Sequence, residues 1–201
     1  MIVEPAEVLE HWFGGHDPDD PATGRQQAGL WWGQAEHTDR ELAERFGATH
    51  EAACRGELRA WASDPSGRVA LVLVLDQLSR NLHRGTPRAF ANDETALRST
   101  LEAIARGEDR TRPFFHRVFL YMPFQHSERL AMQEQGGRMF ERLRDEANDA
   151  QRELARMYLG FMWRHRDIVA RFGRFPHRNA ILGRPSSGEE LRFLTQPGSS
   201  F

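Results

Sequence analysis

The segment from Leu154 to Phe172 limits the possible folds of this chain more than any other. Leu154, Tyr158, Phe161, His165, Ile168 and Phe172 recur at steps of four, three, four, three and four, the spacing of one face of an α-helix. Gly173 comes next, and glycine closes helices because it enters the left-handed region without a Cβ penalty. A helix with one apolar stripe must bury that stripe against other elements.

The covering elements also read as helices. Pro5 suits a first turn, and Val8, Leu9, Trp12 and Phe13 lie on one face before Gly14 and Gly15. HDPDDPATG, residues 16–24, reads as loop. Thr38 to Glu41 fits a capping box that opens a helix bearing Leu42 and Phe46. VALVLVL, residues 69–75, would suit a buried strand or a helix buried on most sides. Leu71, Leu75, Leu78 and Leu82 favour the helix, and no strand of comparable quality is there to pair with it. Thr86 and Pro87 open the next helix, with Phe90, Leu97, Leu101 and Ile104 on one face until Gly107. Arg112 and Pro113 begin another, which Pro123 is expected to end. From about Ser127 a longer helix bears Leu130, Phe140 and Leu143, weakened at Gly136 and Gly137. A short last helix comes after Ser186 and Ser187, with Glu189 and Glu190 in capping range. The expectation is an all-α single domain over residues 1–201, with seven to nine helices packed as antiparallel hairpins.

Composition removes several function classes. The one cysteine, Cys54, excludes an internal disulfide and a multi-cysteine zinc site, and it reads as a small apolar residue on a helix. The longest apolar run, residues 69–75, is far below the ~18 residues of a membrane span. Glu4 and Glu7 stand where a secretory signal would be basic, so a cytoplasmic protein is expected. All 27 basic residues are arginine, set among 29 acids for a formal net charge of −2. That balance argues against nucleic acid as a partner, and it makes arginine clusters weak evidence by themselves.

Four polar groups interrupt this apolar pattern. In LDQLSRNLHRG, Asp76 and Arg80, Gln77 and Asn81, and Arg80 and Arg84 are each four apart, on adjacent strips of one helix. In MPFQHSERLAMQEQ, His126, Glu128 and Gln133 gather near a helix entrance. No metal-ligand spacing of high specificity occurs, so neither metal nor cofactor is expected. His165 lies within the best apolar stripe, where a histidine is either a satisfied core residue or faces an interior pocket. Finally, in RFGRFPHRN Pro176 forbids continuation of the helix, so Phe175 should pack inward with Arg174, His177, Arg178 and Asn179 around it. Such forks grip carboxylates or phosphates, or they satisfy the open carbonyls of the helix end.

Together LDQLSRN…RGTPRAFANDETAL, MPFQHSE…Q and HRDIVARFGRFPHRNAILGRPSSGEE resemble the shared blocks of the bacterial domain of unknown function 924 family, across nearly the whole chain. Trp12 and Phe13, and the piece from Asp39 to Phe46, extend the resemblance. It implies an all-helical fold similar to tetratricopeptide-repeat proteins, although the repeat consensus is absent, and it implies no established activity. Ser79 departs from an expected proline and should leave its helix more regular.

Three functions stay open at this level. One is a binding module that holds a small anionic ligand or a peptide carboxylate, with Arg80, Arg174 and Arg178 as forks and His126, His165 and Asn179 orienting. The second is an enzyme, a hydrolase or proton-transfer catalyst, with His126 or His165 as general base positioned by Glu128 or Asp76. The third is a helical scaffold for a protein partner, which exposed Trp31, Trp32 and Trp61 would favour.

Overall fold

The computed structural model describes residues 1–200, and among them every regular element is helical. In chain order the helices are α1 (Pro5–Phe13), α2 (Pro21–Gln26), α3 (Ala28–Trp32), α4 (Glu36–Cys54), α5 (65–82), α6 (Asp93–Ala105), α7 (Phe114–His126), α8 (Leu130–Glu146), α9 (Arg152–Phe172) and α10 (Gly188–Leu194). Short 3-10 turns link several of them. Ten helices among the described residues exceed the seven to nine expected because part of the supposed loop coils into α2. There Asp20 accepts from Ala22 N at 2.8 Å and Pro21 takes the first helical position.

Several boundaries were correctly placed by local chemistry. Gly14 and Gly173 close α1 and α9 with φ of 66° and 70°, and Ser187 with Glu190 forms the capping box of α10. Others moved. Thr38 lies inside α4, which begins at Glu36. Thr86 precedes only a 3-10 turn, Pro87–Phe90, and the chain restarts as α6 at Asp93. Pro123 does not end α7, which runs on to His126. A proline deprives the preceding turn of one N–H, and in that turn Thr100 Oγ1 from α6 donates to the Leu120 carbonyl at 2.8 Å.

Two helices lie in the middle of the molecule. Every residue from Gly67 to Ser79 of α5 is buried, as is every residue from Phe114 to Gln125 of α7, so both are apolar nearly all round. α5 packs against α1, α4, α6 and α7, while α8 packs between α7 and α9. The glycines that weaken α8 by propensity permit this close packing. A Cβ on Gly136 would lie 2.5 Å from Phe124 Cβ of α7, and one on Gly137 only 2.3 Å from the Trp163 ring of α9.

α5 itself is not regular. Between the α-helical stretches Pro65–Leu73 and Ser79–Leu82 it widens into a π-helical turn, Val74–Leu78. The π-turn ends at Leu78, and Ser79 opens the regular α-helical stretch beyond it. A π-turn adds one residue to the helix and rotates the side chains beyond it, and such turns recur at functional sites. Here it carries Asp76 and Gln77. Among the described residues no helix is long and apolar enough to cross a membrane.

Candidate functional site

The end of α5 past its π-turn, the end of α7, the middle of α9, the turn after α9, the turn at Phe90 and the tryptophans of α3 enclose one cleft of about 690 Å³. That size suits a small-molecule site. Gln77, Arg80, Asn81, Arg84, His126, His165, His177 and Arg178 all line it. Four polar groups separated by up to about a hundred residues thus meet in one place.

At its polar end stands a buried aspartate. Asp76 is fully shielded from solvent, and its Oδ1 accepts from His126 Nδ1 at 2.6 Å and lies 3.3 Å from Arg80 Nη1. Its Oδ2 accepts from Gln77 Nε2 at 2.5 Å. Burial by itself would raise the Asp76 pKa, but the Arg80 guanidinium and the hydrogen bonds from His126 and Gln77 hold it well below the ordinary carboxylate range. Asp76 is thus ionised. His126, whose pKa is pushed below 6.5 by burial and by Arg80, is neutral at pH 7 and carries its proton on Nδ1. The lone pair is therefore on Nε2, the nitrogen a general base uses.

His165 has the same tautomer for a different reason. Its Nδ1 donates to the Phe161 carbonyl at 2.8 Å, so the lone pair is again on Nε2, and burial brings its pKa down to about 3. The two imidazoles meet edge to face with centroids 6.4 Å apart. His177 lies beyond Phe175, its pKa lowered to about 4 by burial and by Arg178.

The arginines are less free than their residue type suggests. Arg178 Nη1 donates to Asp93 Oδ2 at 3.0 Å, and its guanidinium lies 4.5 Å from the Phe90 centroid and 4.7 Å from that of Phe175. Arg80 Nη1 lies 3.0 Å from Asp93 Oδ1. Asp93, the first residue of α6, thus bridges both cations where the helix dipole also favours an acid. Arg84 grips Asp39 with two hydrogen bonds, and Asn81 donates to the same carboxylate. Two aspartates therefore balance the two inner arginines. Buried donors without a partner among the described residues still remain on the lining residues, namely Arg80 Nη2, Arg178 Nε and Gln125 Nε2.

Four expected site residues are placed elsewhere. Glu128 does not position His126: it binds Arg184 at 2.6 and 2.9 Å and accepts from Phe175 N at 2.7 Å, pinning the turn after α9. Gln133 is buried and donates to the carbonyls of Gln125 and Ser127, closing the corner between α7 and α8. Arg174 turns away to Glu190, which the α10 capping box holds beside it. Asn179 is fully buried and bonds Ser186 and Arg184. Glu128, Arg174 and Asn179 build the frame of the turn after α9, and Gln133 that of the α7–α8 corner, rather than the cleft.

Sequence reasoning missed Asp93, Gln125 and the aromatic wall. Asp93 stood inside RGTPRAFANDETAL as an ordinary acid of a first helical turn. The wall is formed by Trp31, Trp32, Tyr158 and Phe161 with Met157. Trp32 is 48% exposed and Met157 42%, while Trp31 is buried, so the apolar side of the cleft is its open side.

The chain matches the sequence profile described as bacterial protein of unknown function (DUF924) over residues 8–198. Comparison with curated proteins gives no match at a significant level. Among solved structures it is similar to a protein of unknown function from Agrobacterium tumefaciens, 36% identical, with a TM-score of 0.77 over 94% of this chain and 96% of that one.

Proposed function

Because the chain belongs to the bacterial family DUF924, whose description states no reaction, we propose a function from the cleft itself: it binds a small molecule with an apolar portion and an acceptor-bearing head, and His126 acts on that head as a general base. The contact between His126 Nδ1 and Asp76 Oδ1, 2.6 Å long and set in the wall of the cleft, carries this reading. A buried carboxylate on Nδ1 fixes the tautomer, orients the ring and stabilises the imidazolium that forms when Nε2 takes a proton.

The unpartnered donors of Arg80, Arg178 and Gln125 supply a place for the developing negative charge of a carbonyl or phosphoryl group. Trp32, Tyr158 and Phe161 supply apolar contact for the rest of the ligand. Since Asp76 and Asp93 already balance Arg80 and Arg178, a neutral or singly charged head suits the site better than a polyanion. The successive packing of α7 on α8 and of α8 on α9 supports antiparallel hairpins of the tetratricopeptide-repeat kind as the frame of this site.

The test is hydrolysis of a panel of small aryl esters, amides and phosphate esters by the parent protein and by His126→Gln. The variant should lose about 10²-fold or more in kcat. The parent rate should fall in acid through a pKa below 6.5, because the base is active only when unprotonated and its pKa is lowered. Equal rates for parent and variant would refute the assignment. Ligand binding without turnover of any compound would favour a pure binding module.

A further inference from the structure

Outside the cleft lining, near the C-terminal end of α5, three side chains with metal-ligand chemistry converge. His50 and Glu51 of α4 and His83, just after α5, each bring one ligand atom within 4.8 Å of the others. No other trio of histidine, cysteine, aspartate or glutamate among the described residues is so placed.

Hydrogen bonding prepares His50 for coordination. The Ser79 hydroxyl has one proton and gives it to the Leu75 carbonyl at 2.6 Å. Its 2.8 Å contact with His50 Nε2 therefore makes that nitrogen the donor, and the lone pair is on Nδ1. Asn92 Nδ2 in turn donates to Ser79 Oγ at 3.1 Å. A ring nitrogen held by such an outer hydrogen bond, with the other left basic, is the arrangement that orients metal-binding histidines.

His83 stacks at a tilt against His50 with centroids 5.1 Å apart, and its Nε2 is buried with no hydrogen-bond partner among the described residues. Among the described residues the Glu51 carboxylate pairs with Arg88 alone, and both side chains of that pair are about half exposed. Exposed ion pairs hold their partners weakly, so a metal can displace Arg88. Cys54 Sγ lies 3.7 Å from both His50 ring nitrogens. It is thus seated against the ring rather than in line with Nδ1, and it is left out of the ligand set.

Burial lowers both imidazole pKa values, that of His50 to about 4, and Arg88 keeps Glu51 ionised. No ligand has to shed a proton at neutral pH. We propose that His50, Glu51 and His83 form a binding site for one divalent transition metal, with water completing the shell. Two imidazoles and one carboxylate suit zinc and disfavour magnesium. Tetrahedral ligands of one zinc ion lie roughly 3.4 Å apart. Closure therefore needs only small rotations of Glu51 and His83, both of which reach the surface. The ion would clamp α4 to the end of α5 that carries Arg80 and Arg84 into the cleft.

The experiment titrates tag-free, chelator-treated protein with zinc chloride against a chromogenic competitor, with thermal melting alongside. The parent should take up one zinc per chain and gain thermal stability from zinc but not from magnesium chloride. His83→Ala and Glu51→Gln should each weaken binding by about tenfold or more, with circular dichroism unchanged. Arg88→Ala should bind as tightly as the parent or tighter, and His126→Gln, in the cleft, should bind as the parent does. Absence of stoichiometric zinc binding, or binding that survives both His83→Ala and Glu51→Gln, would overturn the site.

Discussion

Acidification is expected to destabilise this protein through His165 by an amount that one substitution isolates. In the fold, burial brings the His165 pKa to about 3, against 6.5 for an ordinary histidine. Between those values the unfolded chain binds a proton that the folded chain does not. The stability contributed by the neutral ring is therefore complete above pH 6.5 and is lost as the pH falls toward 3. At about pH 5 the loss is ~2 kcal/mol, since each unit below the unfolded pKa is worth about 1.4 kcal/mol. His50, His116 and His177, each lowered to about 4, titrate over the same range and would obscure the effect in the parent alone. His165→Gln removes one titrating group and keeps the others. Urea unfolding of both proteins, followed by circular dichroism at about pH 7.5 and about pH 5, should show the parent losing ~2 kcal/mol more than the variant. An identical pH dependence for the two would show that His165 is not held neutral by burial.

Substitution of Gly137 by alanine would place a Cβ 2.3 Å from the Trp163 ring, and overpacking between α8 and α9 should cost about 1–3 kcal/mol, read as a lowered Tm. Asp93→Ala should cost about 3–5 kcal/mol in chemical denaturation, because it leaves buried Arg178 with its main counter-charge gone and Arg80 with Asp76 alone. Ser187→Ala should cost about 1 kcal/mol, seen as faster amide hydrogen exchange at the start of α10, where Ser187 Oγ now accepts from Glu190 N at 3.1 Å.

Much of the fold was legible in the sequence because helices announce themselves locally. The stripe from Leu154 to Phe172, the Gly173 stop and the Ser187 box are short-range patterns, and their physics is complete within a few residues. Pro123 reads as a stop because a proline removes one N–H from the helix ladder, yet α7 runs on to His126 with every residue from Phe114 to Gln125 packed in the interior. The π-turn also escaped notice. Leucines at steps of four and three fit a regular helix equally well, and one extra residue per turn leaves no trace in that spacing.

The polar groups were visible as residue types, but their roles were not. Arg174 and Arg178 share a turn and a chemistry, yet one meets Glu190 outside the cleft and the other meets Asp93 inside it. Glu128, two residues from His126, turned out to hold Arg184, while Asp76, fifty residues away in the chain, holds the histidine. Sequence by itself determined the helical class, the apolar faces and the set of polar side chains available, since these depend on neighbours along the chain. Which acid meets which base was decided only by tertiary structure. A hydrogen bond of 2.6 Å between residues of α5 and α7 exists because the packing of two buried helices, one widened by a π-turn, brings their polar ends together.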